Sequence, residues 1–181
     1  MKLLIASDIH GDAASAAALL GAMESEGCDK LLLLGDILYH GPRNDLPAGY
    51  NPKEVIRLLN GVSDKILAVR GNCDAEVDQM VLSFPIMADY VQLSLDGLSI
   101  FATHGHHHNP DNPPPMSRGE ILLNGHTHVY KCSEFGEDNL YLNPGSVSLP
   151  KENPEKTYMV YENRCFTLKS LSGEIIFTKN L

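Results

Sequence analysis

The chain is short of positive charge. Its 181 residues include 14 lysines and arginines against 23 aspartates and glutamates, so the formal net charge is −9. Proteins that bind duplex nucleic acid or an anionic membrane normally present a basic surface, so both partners are disfavoured. No interleaved aromatic and basic residues mark a single-stranded nucleic-acid track. On charge alone, any polyanionic ligand is also disfavoured. The metal-binding pattern described below argues against that last expectation.

Long apolar runs and paired cysteines are lacking too. No run approaches the ~18–20 residues of a membrane-spanning helix, and the N-terminal run meets a charge at Asp8, too early for a signal-peptide core of ~7–15 residues. The four cysteines include no Cys-x-x-Cys pair, so neither a disulfide framework nor a structural zinc site is expected. We therefore expect a reduced, cytoplasmic protein. With 43% hydrophobic residues and no long linker, residues 1–181 are expected to form one domain.

The order of predicted elements changes along the chain. Strands at 3–6, 31–34 and 66–69 alternate with helices at 13–26 and from Pro52 to Gly61. After residue 84 the pattern is that of hairpins, with Asp96-Gly97 as a two-residue turn. Strands are predicted at 90–95, 98–103, 121–123, 139–142, 157–161, 164–170 and 174–178. Parallel βαβ units followed by hairpins predict two sheets packed face to face, with helices outside.

Five of the predicted strands are followed immediately by residues that are able to bind a metal ion. Ligands of open α/β sheets bind beyond the carboxyl ends of the strands, so these residues converge if the strands run the same way. Each short motif is weak alone, because Gly-Asp after a strand is usually only a turn, but the ordered set makes chance improbable. The residues are Asp8, His10, Asp36, Asn72, His104, His126 and His128.

This donor set is too large for one ion with open positions. Two carboxylates, one amide oxygen and four imidazoles suit two ions that share a carboxylate. Mixed oxygen and nitrogen ligation without thiolate suits manganese, which we expect first, or iron, zinc or nickel. Two such ions ~3.5–4 Å apart can activate water and clamp a phosphoryl group.

The order of these motifs resembles the signature of the calcineurin-like metallophosphoesterases over nearly the whole chain. The motifs are Asp8-x-His10, Gly35-Asp36, Gly71-Asn72, His104 and Gly125-His126-x-His128. The resemblance implies an α/β fold, a four-layer α/β/β/α sandwich of two mixed sheets. It also implies two metal sites bridged by Asp36. One would be held by Asp8, His10, Asp36 and His128, and the other by Asp36, Asn72, His104 and His126.

The reaction expected from this resemblance is hydrolysis of a small phosphodiester, in which a metal-activated hydroxide attacks phosphorus in line. Asn72, Cys73 and His104 are the predicted catalytic residues. Many family members have histidine, assigned to protonating the leaving group, where this chain has Cys73. A thiol is a weaker hydrogen-bond donor than imidazolium, so no general acid is carried over. Our hypothesis is that Cys73 opens room for a diester; the alternative is a small buried filler.

Four further residues are predicted to contact substrate: Arg70, Arg43, His40 and His106. An arginine can grip phosphate oxygens bidentately, although Arg70 has the alternative of pairing with a carboxylate such as Asp74. His40 and Arg43 lie in a Gly/Pro-rich loop that could instead contact another subunit. His107 and His108 are predicted to be exposed. Asn143-Pro144-Gly145-Ser146 is predicted to form a turn, with the alternative that its backbone also approaches the metals.

Three other functions fit parts of the pattern. A phosphomonoesterase acting on nucleotides or sugar phosphates would use the same donors. A non-catalytic interaction module exists on this fold in the eukaryotic retromer, but the complete donor set argues against it. A metallo-β-lactamase-type hydrolase is weakened because the histidine run at 104–108 is followed by Asn109-Pro110. The physiological substrate and the oligomeric state, including a homo-oligomer, stay open.

Overall fold

The computed structural model describes residues 1–152 and 154–181, which contain three α-helices and eleven strands. The helices are α1 (Ala13–Ser25), α2 (Pro52–Asn60) and α3 (Glu76–Gln79), with a 3-10 turn at Ser63–Lys65. The strands are β1 (Leu3–Ala6), β2 (Lys30–Leu33), β3 (Ile66–Ala68), β4 (Tyr90–Leu95), β5 (Leu98–Thr103), β6 (Ile121–Leu123), β7 (Lys131–Phe135), β8 (Asn139–Asn143), β9 (Thr157–Glu162), β10 (Cys165–Ser170) and β11 (Ile175–Asn180).

The strands form two mixed sheets, which confirms the predicted α/β fold of two mixed sheets. The first sheet has the order β11-β10-β9-β1-β2-β3, and the second has the order β4-β5-β6-β8-β7. In the first, β1, β2 and β3 run parallel while β9, β10 and β11 pair antiparallel. In the second, β5, β6 and β8 run parallel, and β4 and β7 are antiparallel edges. The sequence did not predict β7, an edge strand whose side chains are exposed or half-buried, or the single-turn helix α3.

The first two helices begin at side-chain caps. The Asp12 carboxylate accepts the N–H groups of Ala14 and Ser15 at the start of α1. The Asn51 side chain accepts the Glu54 N–H at the start of α2, where Pro52 needs no hydrogen-bond partner. Both helices cover the outer face of the first sheet, so the loops before them are held at the end of that sheet.

The apolar run of β1 is buried on both sides because side chains alternate along a strand. Leu3 and Ile5 pack between the sheets with residues such as Ile100 and Leu123. Leu4 and its neighbours on β2 pack under the helices instead. Each fully buried aliphatic side chain contributes about 1.5–3 kcal/mol, so β1 is anchored from two directions.

The outer face of the second sheet is covered by a loop. Phe101, Leu122 and Tyr141 form a small cluster with Met116, which lies in the connection between β5 and β6. Within the described residues this fourth layer contains no helix, and the run Pro113-Pro114-Pro115 explains why, since proline has no N–H for helix hydrogen bonding. Among the described residues, the helices are all too short or too polar to cross a bilayer.

Candidate metal centre

The loops that follow β1 and β2 are joined by main-chain hydrogen bonds. Asp8 N–H donates to the Gly35 carbonyl at 3.1 Å, and His10 N–H donates to the Asp36 carbonyl at 2.9 Å. The second sheet meets them directly, because His126 N–H donates to Asp8 Oδ2 at 3.0 Å. The predicted ligands of both sheets therefore lie at one shared end of the sandwich.

Five of the seven predicted ligands have left-handed backbone conformations. Such conformations cost of order 1–3 kcal/mol in non-glycine residues and cluster at functional sites, where surrounding structure imposes them. The φ angles are 59° for Asp8, 49° for His10, 55° for Asp36, 66° for His126 and 61° for His128. The sharp turns aim these side chains back across the strand ends.

His10 and His128 face each other with the same ring nitrogen. His10 Nδ1 donates to the Tyr39 carbonyl at 2.7 Å, and His128 Nδ1 donates to the Leu149 carbonyl at 2.6 Å. Each neutral ring then carries a lone pair on Nε2, and the two Nε2 atoms lie 3.1 Å apart. Two lone pairs this close repel unless a cation lies between them, and such second-partner hydrogen bonds are typical of metal-binding histidines.

The same orientation recurs at His104. Its Nδ1 donates to the Leu34 carbonyl at 2.6 Å, which leaves Nε2 facing Asn72 Oδ1 at 3.1 Å and His126 Nδ1 at 3.2 Å. A ring nitrogen and an amide oxygen turned toward one point form a second group of candidate donors.

Two buried carboxylates connect these groups. Asp8 Oδ1 has no hydrogen-bond partner among the described residues and lies 3.3 Å from His128 Nε2. Asp36 Oδ2 lies 3.7 Å from His10 Nε2 and 3.4 Å from His104 Nε2, and is therefore between the two imidazole groups. A buried carboxylate oxygen with no hydrogen-bond partner, surrounded by imidazole nitrogens, fits the ligand chemistry of divalent ions.

The pKa values of the site follow from this concentration of negative charge. Burial lowers the pKa of His104, but the carboxylates of Asp36 and Asp8 outweigh it and raise that pKa to about 9. Because a ligating imidazole must be unprotonated, metal binding would displace this proton. Burial and the neighbouring His104 lower the pKa of His106 to about 4. Burial and the Asp36 carboxylate raise the pKa of Cys73 to about 12, so its thiol is protonated at neutral pH.

Asp74 braces the loop that carries Asp36, a role that the sequence pattern did not predict. Its buried carboxylate accepts the N–H groups of Asp36, Ile37 and Gly71 at 2.7–2.9 Å. A Cβ at Gly71 would collide with Asp36, so glycine is required for this close approach. The carboxylate of Asp74 is thus used by the main chain, and Arg70 Nε lies 3.4 Å from the Asp74 carbonyl instead.

The turn at 143–146 supports the loop that carries Asp8. Ser146 Oγ and Ser148 Oγ both donate to the Asp8 carbonyl, at 2.8 and 2.7 Å. Asn143 Nδ2 donates to the Gly125 carbonyl at 2.7 Å, beside His126. The predicted approach of this turn to the ligands is present, but its side chains make the contacts.

A small pocket of about 40 Å³ opens beside the ligands. Arg43, predicted to contact substrate, lines it together with Lys151, for which the sequence offered no signal. The full lining is Asp36, Gly41, Pro42, Arg43, Asn44, Asn72, Cys73, His126, His128 and Lys151.

The other predicted contacts lie around this pocket. Arg70, His40 and His106 do not belong to the described lining of the pocket. The His40 ring packs edge-on against Tyr39 and Tyr50, and the His106 ring centre lies 5.4 Å from that of His104. His107 is exposed as predicted. The prediction for His108 is wrong, because its ring is half-buried edge-on against Phe101.

Comparisons with known proteins agree with this geometry. Residues 1–164 match the family model described as "Calcineurin-like phosphoesterase superfamily domain". Phosphodiesterase YfcE of Escherichia coli (strain K12) is 43% identical, over 99% of this chain and 97% of its own. The solved structure of that E. coli phosphoesterase matches with a TM-score of 0.94 and covers 99% of this chain and 98% of its own.

A more distant likeness concerns the fold alone. The zinc complex of Vps29 from Entamoeba histolytica is 19% identical, with a TM-score of 0.60 over 100% of this chain and 98% of its own.

Two of these comparisons establish the family: the family model matches residues 1–164, and the E. coli phosphodiesterase is 43% identical over nearly the full length of both chains. The chain belongs to the calcineurin-like phosphoesterase superfamily.

Proposed function

We propose that the chain is a dinuclear metal-dependent phosphodiesterase that hydrolyses a small phosphodiester. The observation that carries this proposal is the position of Asp36 Oδ2 between the imidazoles of His10 and His104. A carboxylate in that position can be shared by two ions. The name of the 43% identical E. coli relative, Phosphodiesterase YfcE, supports the choice of a diester.

Two groups of donors would hold the ions. Asp8, His10 and His128 bring ligand atoms within 4.8 Å of one another, and so do Asp8, Asp36 and His104. Our assignment gives one ion Asp8, His10, Asp36 and His128 and the other Asp36, Asn72, His104 and His126. Manganese is the first expectation, with iron, zinc or nickel as alternatives. Bound divalent ions would supply an activated water and neutralise charge on the phosphoryl oxygens.

The protein itself would position the substrate. Arg43 and Lys151 line the pocket and add positive charge to a lining that includes the Asp36 carboxylate. The guanidinium of Arg43 can bind two phosphoryl oxygens at once, while the ammonium of Lys151 offers a point charge. The net charge of −9 disfavours a long nucleic acid across the surface and so favours a small ester.

Cys73 explains our preference for a diester. Its N–H donates to Asp36 Oδ1 at 2.8 Å, and its protonated thiol lies at the pocket wall. A thiol is smaller than an imidazole, so it leaves space for a second ester group. Because it donates hydrogen bonds weakly, we expect esters with good leaving groups to react fastest.

The location of the protein is also a proposal. All four cysteines are free in the structure, and burial raises the pKa of Cys28 to about 11. Free thiols of this kind are typical of proteins kept under reducing conditions. We propose a cytoplasmic location on that basis.

Replacement of Asp36 tests the proposed function. We expect the parent protein to bind two manganese ions and to hydrolyse a diester faster than the matching monoester. Asp36→Asn should lose at least one ion and about 1000-fold in kcat/KM. The exposed Asp64→Asn variant is the matched control and should behave like the parent.

Metal analysis and a panel of mono- and diesters give the readout. An Asp36→Asn protein that binds two ions and hydrolyses diesters at the parent rate would contradict the shared carboxylate. Preference of the parent for monoesters would instead indicate a phosphomonoesterase. The same panel applied to Cys73→His tests the space hypothesis, which requires the preference for diesters to fall.

A further inference from the structure

A second cavity adjoins the metal centre. It has a volume of about 440 Å³, against about 40 Å³ for the pocket at the ligands, and Cys73 lines both. We call it the apolar groove, defined by Tyr39, Tyr50, Ile56, Cys73, Val77 and Val81. Its volume lies in the range of about 300–1,000 Å³ that is usual for sites binding small molecules.

The lining of the apolar groove differs chemically from that of the metal centre. Its described lining residues include no lysine, arginine or histidine. The Asp78 carboxylate also borders it, but Asp78 Oδ2 accepts the N–H of Ala75 at 2.9 Å and is thereby engaged. The groove therefore offers apolar contact and no attraction for a phosphoryl group.

Large apolar side chains are left exposed around this groove. Val77 is 62% exposed, Val81 44% and Tyr39 43%. Apolar residues grouped on the surface of a protein commonly mark a binding site. Burial of these three side chains by a ligand would be favourable, because each still exposes apolar area to water.

Tyr39 and Cys73 connect the groove to the metal ligands. The Tyr39 carbonyl accepts His10 Nδ1 at 2.7 Å, while its ring lines the groove. Cys73 N–H donates to Asp36 Oδ1 at 2.8 Å, while its side chain lines both cavities. A phosphoryl group held at the ligands would consequently have the groove within reach of one of its ester substituents, across the Cys73 side chain.

We propose that the apolar groove binds an ester substituent of the substrate, and that the substrate carries an aromatic or extended apolar group on phosphorus. This inference rests on the proposed function and specifies the substrate class of the same site. The shared lining residue Cys73 places the groove directly beside the pocket at the ligands. This adjacency favours a substrate group over a second copy of the chain, since docking of another copy would not require a shared lining residue.

Binding of two phosphonates to the manganese-loaded protein tests this proposal. Phenylphosphonate and methylphosphonate present the same anion to the metal centre and differ only in the single group on phosphorus. Isothermal titration calorimetry on the parent should give a Kd at least about tenfold lower for phenylphosphonate. Because this readout does not need turnover, it is independent of the leaving group.

Two substitutions at the groove should abolish the preference. Val77→Asp and Val81→Asp place a charge against the phenyl ring, and the ratio of the two Kd values should fall toward 1. Ile175→Asp is the matched control, because Ile175 is 59% exposed on the edge strand β11 and is no part of the groove. Its ratio should equal that of the parent, and the unfolding temperatures of all variants should confirm that they fold.

The outcomes separate the two proposals. Equal Kd values in the parent, or a preference retained in both valine variants, would overturn the groove assignment while leaving diester hydrolysis intact. Dissociation of a dimer by Val77→Asp in light scattering, with the preference unchanged, would assign the groove to self-association and overturn it as well. Failure of both phosphonates to bind, together with no diester hydrolysis by the parent, would remove the proposed function itself.

Discussion

The two sheets contribute different chemistry to the metal centre. Loops of the first sheet supply all three candidate oxygen donors, from Asp8, Asp36 and Asn72, with a single imidazole from His10. Loops of the second sheet supply imidazoles only, from His104, His126 and His128. The clusters Asp8-His10-His128 and Asp8-Asp36-His104 each draw on both sheets. Neither sheet could therefore form these clusters alone, and the packing of the sheets is a condition of the site.

The two sides are also braced differently. On the first sheet, one buried carboxylate, that of Asp74, binds three main-chain N–H groups around Asp36. From the second sheet, neutral groups of the 143–148 segment bind the carbonyl of Asp8, across the sandwich, and that of Gly125. Hydrogen bonds to a charged acceptor are about twice as strong as neutral ones. We call the Asp74 hydrogen bonds the first brace and those of the 143–148 segment the second brace. We expect metal binding and activity to fall more when the first brace is lost than when the second is lost.

Among the variants that test the two braces, we expect the largest loss of activity from Asp74→Asn. The amide keeps the shape of the side chain but replaces one acceptor oxygen by an NH₂ group, so at least one buried N–H loses its partner. Displacement of the Asp36 loop should weaken manganese binding and lower kcat/KM by about 10–100-fold. Manganese titration and steady-state kinetics on the parent, Asp74→Asn and the exposed control Asp111→Asn give the comparison. Unchanged manganese affinity would show that Asp74 has no positioning role.

A smaller effect is expected from Ser148→Ala. The Asp8 carbonyl then keeps its hydrogen bond from Ser146 at 2.8 Å, so kcat/KM should fall only about threefold, as for loss of one neutral hydrogen bond. The double variant with Ser146→Ala should lose more than the two single losses combined, because both serines share one acceptor. The exposed Ser94→Ala on β4 is the control. If Ser148→Ala costs more than Asp74→Asn, the order of the two braces is reversed.

Glu26 lies away from both braces, so we expect Glu26→Gln to leave activity unchanged and to lower only the stability of the fold. Glu26 Oε1 accepts from Lys169 Nζ at 2.5 Å and from the Tyr158 hydroxyl at 3.3 Å. Burial raises the pKa of Glu26, but these partners outweigh it and hold the pKa below the ordinary 4.5. An acid with a lowered pKa stabilises the fold above its unfolded value, and this stabilisation is lost as the pH falls through the folded pKa.

The free energy of unfolding at several pH values checks this expectation. At pH 7, Glu26→Gln should lower it by about 1 kcal/mol, and the difference from the parent should shrink below pH 4.5, the ordinary pKa of the group. Diester hydrolysis should equal that of the parent, and the exposed Glu155→Gln should change neither property. A difference that is constant down to pH 3 would contradict the role of the charge.

Much of the fold could be predicted because its signals are local. The apolar run of β1, the Asn51-Pro52 start of α2 and the Asp96-Gly97 turn each lie within a few residues. Both turn residues have positive φ angles, 50° and 78°, as a two-residue hairpin of this type requires. Strand β7 escaped prediction because an edge strand without a buried face carries no clear alternation. The outer layer of the second sheet depends on contacts of Met116 with residues of three different strands, Phe101, Leu122 and Tyr141.

The sequence by itself determined which donors are present and that each follows a strand, since residue type and hydrophobic periodicity are properties of neighbouring residues. Only the tertiary structure decided that His10 Nε2 meets His128 Nε2 across 118 residues of chain. The same holds for Asp36 Oδ2 between two imidazoles and for Cys73 as the wall between two cavities. These contacts depend on how the two sheets pack and on which carbonyl each imidazole binds. Both are set by residues far apart in the chain, so a pattern of neighbouring residues cannot predict them.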